Sequence, residues 1–262
     1  MLLAVLAVLA TTASIPLPDG NEYVRTLVDK QKRREEALNH YTYDVEQLLE
    51  ELDGKGAVTG RKVRRYEIFY VKGEPVQKLV AEEGRPLSSG AQEAEEARVR
   101  DKVAGMVKER VSLDDSGVRL SAILERYDFR TVGREDLDGW PALVLAFTPR
   151  PGKRDLEGDV VLRNLGGRIW VDEAEREVVR AEVRNTGDIK FAFGIGATVS
   201  GLGFTIDFRK VEDGLWLPSR LEATAEARVL LMKGFRGRTT SIFSRYRRFE
   251  AASEETVKPP TP

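Results

Sequence analysis

Residues 201–249, GLGFTIDFRKVEDGLWLPSRLEATAEARVLLMKGFRGRTTSIFSRYRRF, decide the fold. Two dipeptides in this stretch, Asp213-Gly214 and Lys233-Gly234, suit two-residue hairpin loops, where glycine supplies the positive φ that such turns require. If the first closes a hairpin, Phe208 lies opposite Ser219, Ile206 opposite Leu221, Phe204 opposite Ala223 and Leu202 opposite Ala225. All fall on one face, while Asp207 meets Arg220 and Thr205 meets Glu222 on the other. If the second closes a hairpin, Leu221 lies opposite Tyr246, Ala223 opposite Ser244, Ala225 opposite Ile242, Ala227 opposite Thr240, and Glu222 meets Arg245. Both turns assign the same dry face, and a one-residue slip in either would carry the whole apolar set into water. Trp216 and Pro218 break the strict pairing, and a bulge near Pro218 would accommodate them.

The dry face is shallow. Ala223, Ala225 and Ala227 stand in a row, although alanine is a poor strand former and leaves a pleated surface unfilled. Either a helix packs close on the sheet, or a cavity for an apolar ligand lies where a curved sheet and a helix fail to fill each other. The two can hold together. The candidate lining is Leu202, Phe204, Ile206, Phe208, Leu221, Ala223, Ala225, Ala227, Ile242 and Tyr246.

Upstream, Asp19 followed by Glu22 makes an N-cap, and Tyr23, Val24, Leu27 and Val28 recur at helical spacing ahead of a highly charged 30–36. Strand patterns follow at Tyr41 to Leu52, Arg61 to Val71 and Val76 to Val80. Residues 88–111 then form a charged, peripheral helix, started by Ser89 and Gln92 and stiffened by pairs such as Glu96 with Arg100. A second helix, Val118 to Leu124 with Ser116 as its cap, completes a helical insertion over 88–124. Strands resume at Tyr127 and at Ala142 to Phe147. Leu156 to Leu165, with Gly166-Gly167 behind it, reads as a short helix with a glycine stop. Arg168 to Asp172, Glu177 to Arg184 and Ile189 to Phe193 lead into the decisive stretch. The expected class is mainly β (α+β): a large antiparallel sheet of about eleven strands, curved into an unclosed barrel with helices on its concave face.

Residues 2–10 are an apolar run too short to span a bilayer, followed by small residues through Ser14, so 1–14 reads as a secretory signal peptide cleaved near Ala13, although no basic residue precedes the run. The expected organisation is a single domain over 15–250 and a disordered tail over 251–262. No cysteine is present, which excludes disulfides, thiolate chemistry and a lipidated cysteine anchor. With a net charge of -1, nothing pulls the chain as a whole toward nucleic acid. The local runs Arg61-Lys62-Val63-Arg64-Arg65 and Arg245-Tyr246-Arg247-Arg248 read as solvated strand faces.

The strand Gly167-Arg168-Ile169-Trp170-Val171-Asp172, then Val178-Val179-Arg180-Ala181-Glu182, and later Leu215-Trp216-Leu217-Pro218 resemble the LolA/LolB-like superfamily of periplasmic lipoprotein-sorting and carrier proteins. The order of elements resembles it too. This resemblance implies an unclosed barrel with an apolar concave face lidded by helices, which shelters lipid or lipoprotein acyl chains in the periplasm and deals with inner- and outer-membrane transport partners. Within that resemblance the missing cysteine implies either the soluble carrier branch or a functionally diverged relative, and the charged helix over 88–111 departs from the superfamily's pattern.

Catalysis finds little support. His40 is the only histidine and falls at a helix end, so a triad would have to use it and a histidine-rich metal site is excluded. Asp114-Asp115, Glu135-Asp136 and Asp172-Glu173 lie at turn signals. Gly194, Gly196, Gly201 and Gly203 precede no helix pattern and make no phosphate loop. The sequence therefore leads to a non-enzymatic, exported periplasmic protein with no cofactor, no metal, no nucleic-acid partner and no transmembrane segment in the mature chain. The competing expectation is a cell-envelope sensing or scaffold protein on the same fold that carries no lipid.

Overall fold

The computed structural model describes residues 15–108, 120–137, 139–150, 160–191, 197–211, 214–229 and 234–248. The expected signal peptide and C-terminal tail lie outside them, as do Ser116 and Asp114-Asp115.

Asp19 opens helix α1 (Gly20–Leu38) by accepting the Glu22 N–H at 2.9 Å. Its buried stripe, Gly20, Val24, Leu27, Gln31 and Arg34, keeps helical spacing but changes from apolar to polar along its length. Gly20 has no room for a side chain, since a Cβ would meet the Phe129 carbonyl oxygen at 2.6 Å. Strands β1 (Tyr41–Leu52), β2 (Val58–Val71), β3 (Glu74–Glu82) and the short β4 (Arg85–Pro86) follow as a meander. Helix α2 (Ser89–Lys108) then runs along β3. There the Leu79 N–H donates to Glu95 Oε1 at 2.7 Å and the Arg98 guanidinium donates to the Gln77 carbonyl at 2.5 Å. A helix thus covers one N–H and one carbonyl of the strand that would otherwise be free to pair with another chain. Ser88, rather than Ser89, starts this helix, with its carbonyl accepting from Gln92 N–H at 2.8 Å. Glu96 turns to Lys78 at 3.7 Å instead of to Arg100.

After α3 (Leu120–Arg126) come β5 (Tyr127–Leu137), β6 (Trp140–Pro149), β7 (Leu165–Asp172), β8 (Glu177–Asn185), β9 (Ile189–Phe191), β10 (Ala197–Lys210), β11 (Trp216–Val229) and β12 (Phe235–Arg248). Among the described residues the sheet has twelve antiparallel strands in the order β4-β3-β2-β1-β12-β11-β10-β8-β7-β6-β5, with β9 beside the far end of β10. Its outermost strands, β4 and β5, do not pair, so the barrel is unclosed. Helix α1 nevertheless packs against both β5 and β11, five positions apart in strand order. At roughly 4.8 Å per strand a flat sheet would hold those strands about 24 Å apart, so the sheet curls around the helix.

The main core lies on that inner face: Val24 and Leu27 from α1, Ile123 and Leu124 from α3, and Phe129, Leu145, Phe147, Ile169 and Val183 from the strands. Alternate β6 residues, Ala142 and Val144, enter a separate cluster with Trp170, Val179 and Trp216, so β6 is buried on both sides.

The expected helix over Leu156 to Leu165 is corrected by the strand. Only a 3-10 turn, Leu162–Asn164, is present among its described residues, and Leu165, Gly166 and Gly167 belong to β7. Glycine serves close approach there rather than a helix stop, because a Cβ on Gly167 would sit 1.9 Å from the Glu182 carbonyl oxygen. Gly167→Ala is accordingly expected to destabilise the protein by about 1–3 kcal/mol through forced separation of β7 and β8. The midpoint of urea denaturation reads this, and an unchanged midpoint would refute it.

The first hairpin keeps the expected register where it matters. Leu202 faces Ala225, Phe204 faces Ala223, Ile206 faces Leu221 and Asp207 faces Arg220. Beyond Asp207 the register shifts, so Phe208 faces Pro218 instead of Ser219. The loop explains it. Val211 N–H donates to the Leu215 carbonyl at 2.8 Å, one residue wider than a two-residue turn, and Gly214 takes φ +77°. A bulge at Ser219 absorbs the extra residue.

The second hairpin departs from expectation by five residues. Leu221 faces Ser241, Ala223 faces Thr239, Ala225 faces Gly237 and Ala227 faces Phe235, and Glu222 meets Thr240 rather than Arg245. An odd shift exchanges the faces of β12. Pairing Ala225 with Ile242 would have turned Arg236 and Arg238 inward with it. In the observed register Arg236 reaches Glu226 at 2.7 Å and Arg238 reaches Glu50 at 2.6 Å, while Phe243 turns inward against Tyr43. Ile242 is left on the outer face, 38% exposed.

Candidate functional site: a helix-lidded apolar cavity

A cavity of about 430 Å³ lies between α1 and α3 on one side and β8, β10 and β11 on the other. Its floor is Ala181 and Val183 from β8 with Phe204, Ile206 and Phe208 from β10, closed at one end by Leu217 and Pro218. Leu120 and Ile123 of α3 add apolar roof. The alternation of β10 is what aims Phe204, Ile206 and Phe208 into one space.

The rest of the roof is polar and comes from the charged half of α1. Arg34 is 5% exposed, and its guanidinium carbon stands 4.2 Å above the centre of the Phe208 ring. It donates to the Val178 carbonyl at 3.0 Å, to Glu177 Oε2 at 3.3 Å and to Gln31. Gln31 in turn donates to Glu35 Oε1 at 2.9 Å, and Glu35 accepts the Ser121 N–H at 3.0 Å and its hydroxyl at 2.5 Å. This chain of bonds ties α1 to the start of α3 and to β8, so the two lid helices are fastened to each other and to the sheet. Burial lowers the Arg34 pKa to about 10, partly offset by the nearby Glu177 and Glu35 carboxylates.

At the end of the cavity nearest β2, Tyr70 lines it, and its hydroxyl lies 3.3 Å from that of Tyr43. Tyr43 stacks against Tyr246 with ring centres 4.9 Å apart, and the Tyr246 hydroxyl donates to the Pro218 carbonyl at 2.7 Å. Burial pushes the Tyr43 and Tyr246 phenols above their ordinary range, with like-signed Tyr70 adding to both. The folded chain therefore keeps protons that the unfolded chain gives up near pH ~10. Stability from these two groups is complete below that pH and falls as pH rises past it. Of the seven tyrosines, Tyr43 and Tyr246 are expected to form phenolate only as the chain unfolds, read by ultraviolet absorbance alongside circular dichroism. Phenolate formation by all seven while the fold is intact would contradict this packing.

Of the ten residues expected to line a ligand site, Phe204, Ile206 and Phe208 border the cavity. Leu202 packs at the margin of the main core and borders a separate, polar groove. Leu221, Ala223, Ala225 and Ala227 continue the inner face beyond the cavity and are half-buried. Tyr246 is inside, though not by simple alternation from Ile242. A bulge at Arg245, where φ is +54°, returns it to the side of Phe243. Ile242 faces outward. Gln31, Arg34 and Glu35 are not among the expected lining residues, because 30–36 reads only as highly charged. The signal was present: continuing from Val24 and Leu27 by helical steps lands on Gln31 and Arg34.

Of the acidic pairs noted in the sequence, those among the described residues hold turns and side chains in place. Asp172 Oδ1 accepts the Ala174 and Glu175 N–H groups, Asp136 accepts that of Gly139 at 2.7 Å, and Glu135 accepts the Trp170 indole N–H at 2.9 Å. His40 is exposed in the turn after α1.

The architecture is thus a helix-lidded, unclosed β-barrel with a cavity beneath the lid. No protein-family profile and no curated protein sequence matches the chain. Among solved structures it is similar to a domain from Vibrio parahaemolyticus assigned to outer membrane lipoprotein sorting, at 15% identity and TM-score 0.43, covering 90% of this chain and 94% of that one. It is also similar to a DUF1329 family protein from Desulfovibrio piger, at 14% identity and TM-score 0.43, covering 90% and 96%. A LolA superfamily protein from Nitrosomonas europaea gives 12% identity and TM-score 0.41, covering 89% and 95%.

Proposed function

We propose that this protein is a periplasmic carrier or binding protein that shelters an apolar ligand, an acyl chain of a lipid or lipoprotein, in the cavity between α1, α3 and the inner face of the sheet. The observation that carries this reading is the cavity itself. At about 430 Å³ it falls in the roughly 300–1,000 Å³ range of small-molecule sites, with an apolar floor and a few fixed polar groups at one wall. Phe204, Ile206 and Phe208 would contact the ligand inside. Leu202, Leu221, Ala223, Ala225 and Ala227 extend the same face outward, where small side chains leave room for a longer chain. Binding is non-covalent. No described helix is long and apolar enough to cross a membrane.

Native mass spectrometry of the protein purified from the cell envelope tests the reading. A retained lipid is the expected result. A stable complex with another protein and no lipid would favour a scaffold on the same fold instead.

A further inference from the structure

Where β1 begins, β12 ends and β10 turns toward β11, a groove of about 450 Å³ is bordered by Arg209, Lys210, Arg245 and Arg248, with Tyr41 and Tyr246 between them. No carboxylate belongs to its described lining. Two of the four cations are engaged in ion pairs, Lys210 with Glu175 at 2.7 Å and Arg245 with Asp44. Arg209 and Arg248 are exposed and have no ion-pair partner among the described residues. The backbone is bent to build this arrangement. Arg245 occupies the left-handed region at φ +54°, an uncommon and costly conformation for a side-chain-bearing residue, and the same bulge brings Tyr246 to the groove floor. What the sequence presents as a solvated basic run is therefore split by the bulge. Arg247 pairs with Glu67 at 2.9 Å, while Arg245 and Arg248 join Arg209 and Lys210 from another strand.

We propose that this groove binds a phosphate-type oxyanion, which the exposed guanidinium groups of Arg209 and Arg248 at its border would hold by charge-assisted, bidentate hydrogen bonds. The groove adjoins the cavity. The Tyr246 hydroxyl is bonded to the carbonyl of Pro218, which lines the cavity, and Tyr41, Tyr246 and Leu217 belong to one buried cluster. The anionic headgroup of an amphiphile whose chain fills the cavity is the source that this adjacency favours, a point that rests on the carrier reading. Free phosphate is the other source of the same chemistry.

Isothermal titration at low ionic strength distinguishes the two, using the full chain and the double variant Arg209→Gln/Arg248→Gln. Removing these two exposed groups leaves no carboxylate orphaned, and a thermal melt checks that the fold is unchanged. The probes are dihexanoylphosphatidylglycerol, neutral dihexanoylglycerol and inorganic phosphate. The expected result is that the unaltered protein binds the anionic lipid about tenfold tighter than the neutral one and that the double variant loses this preference. Inorganic phosphate bound by the unaltered protein and not by the variant, with no preference between the lipids, would establish the site with free phosphate as its ligand. The proposal is overturned if the variant binds all three probes as the unaltered protein does, or if neither anion binds preferentially to the unaltered protein. Failure of dihexanoylglycerol to bind would count against the cavity reading alone, because inorganic phosphate reports on the groove without it.

Discussion

Arg34→Ala is expected to lower the stability of the protein by about 3–5 kcal/mol, the usual cost of leaving a buried ion without its partner. Glu177 is only 8% exposed, and the other cation near it, Lys30 at 3.2 Å, is a half-solvated side chain that cannot take over the guanidinium's inward bonds. The Val178 carbonyl and the Gln31 side chain lose their donor in the same change, and the Phe208 ring loses the cation above it. Each loss is a separate cost in a buried place. Pairing Arg34→Met with Glu177→Leu is expected to restore the part of the loss that comes from the stranded carboxylate, since an apolar replacement of both ions leaves no buried charge unpaired, while the bonds to Val178 and Gln31 stay lost. Chemical denaturation measures both. A loss below about 1 kcal/mol for Arg34→Ala would mean that the guanidinium behaves as a surface ion and does not fasten the lid.

Ile206→Trp is expected to weaken binding of a fluorescent fatty acid by roughly ten- to a hundredfold. Ile206 lies between Phe204 and Phe208 on the floor of the cavity that Arg34 and Leu38 of α1 also line, so an indole there takes up space a chain would occupy. Forcing that volume into an occupied site costs about 1–3 kcal/mol, and each 1.4 kcal/mol is about a factor of ten in Kd. The free protein has the cavity to receive the ring, so its melting temperature is expected to change little. Ile242→Trp, on the outer face, supplies the control and is expected to leave binding unaltered. Equal effects of the two substitutions would place the ligand elsewhere.

The contrast between Ile206 and Ile242 also shows how far the sequence could be read. Pairing of β10 with β11 was legible because a turn signal, an apolar alternation and two polar pairs agreed, and the misjudged loop length was cancelled by a bulge that Pro218 had signalled. Pairing of β11 with β12 was not legible from its turn alone. Charge decided it: Arg236 and Arg238 must face water, and that requirement drives Ile242 out and Phe243 in. Gly166-Gly167 looked like a helix stop because glycine marks both helix ends and tight strand packing, and only the Glu182 carbonyl beside it tells which. The inner aromatic and aliphatic floor of the site was readable as strand periodicity. Its polar roof was hidden because Arg34 in a charged run looks solvated until the helix's buried stripe is followed past Leu27.

The central claim is that an acyl chain lies against β10 beneath α1 and α3. Nuclear Overhauser contacts between uniformly ¹³C-labelled palmitate and the protein's methyl groups test it most directly. Contacts to Ile206, Leu217 and Ile123, with none to Ile242, are the predicted result. Bound palmitate that touches none of the first three, or that contacts Ile242 instead, would contradict it.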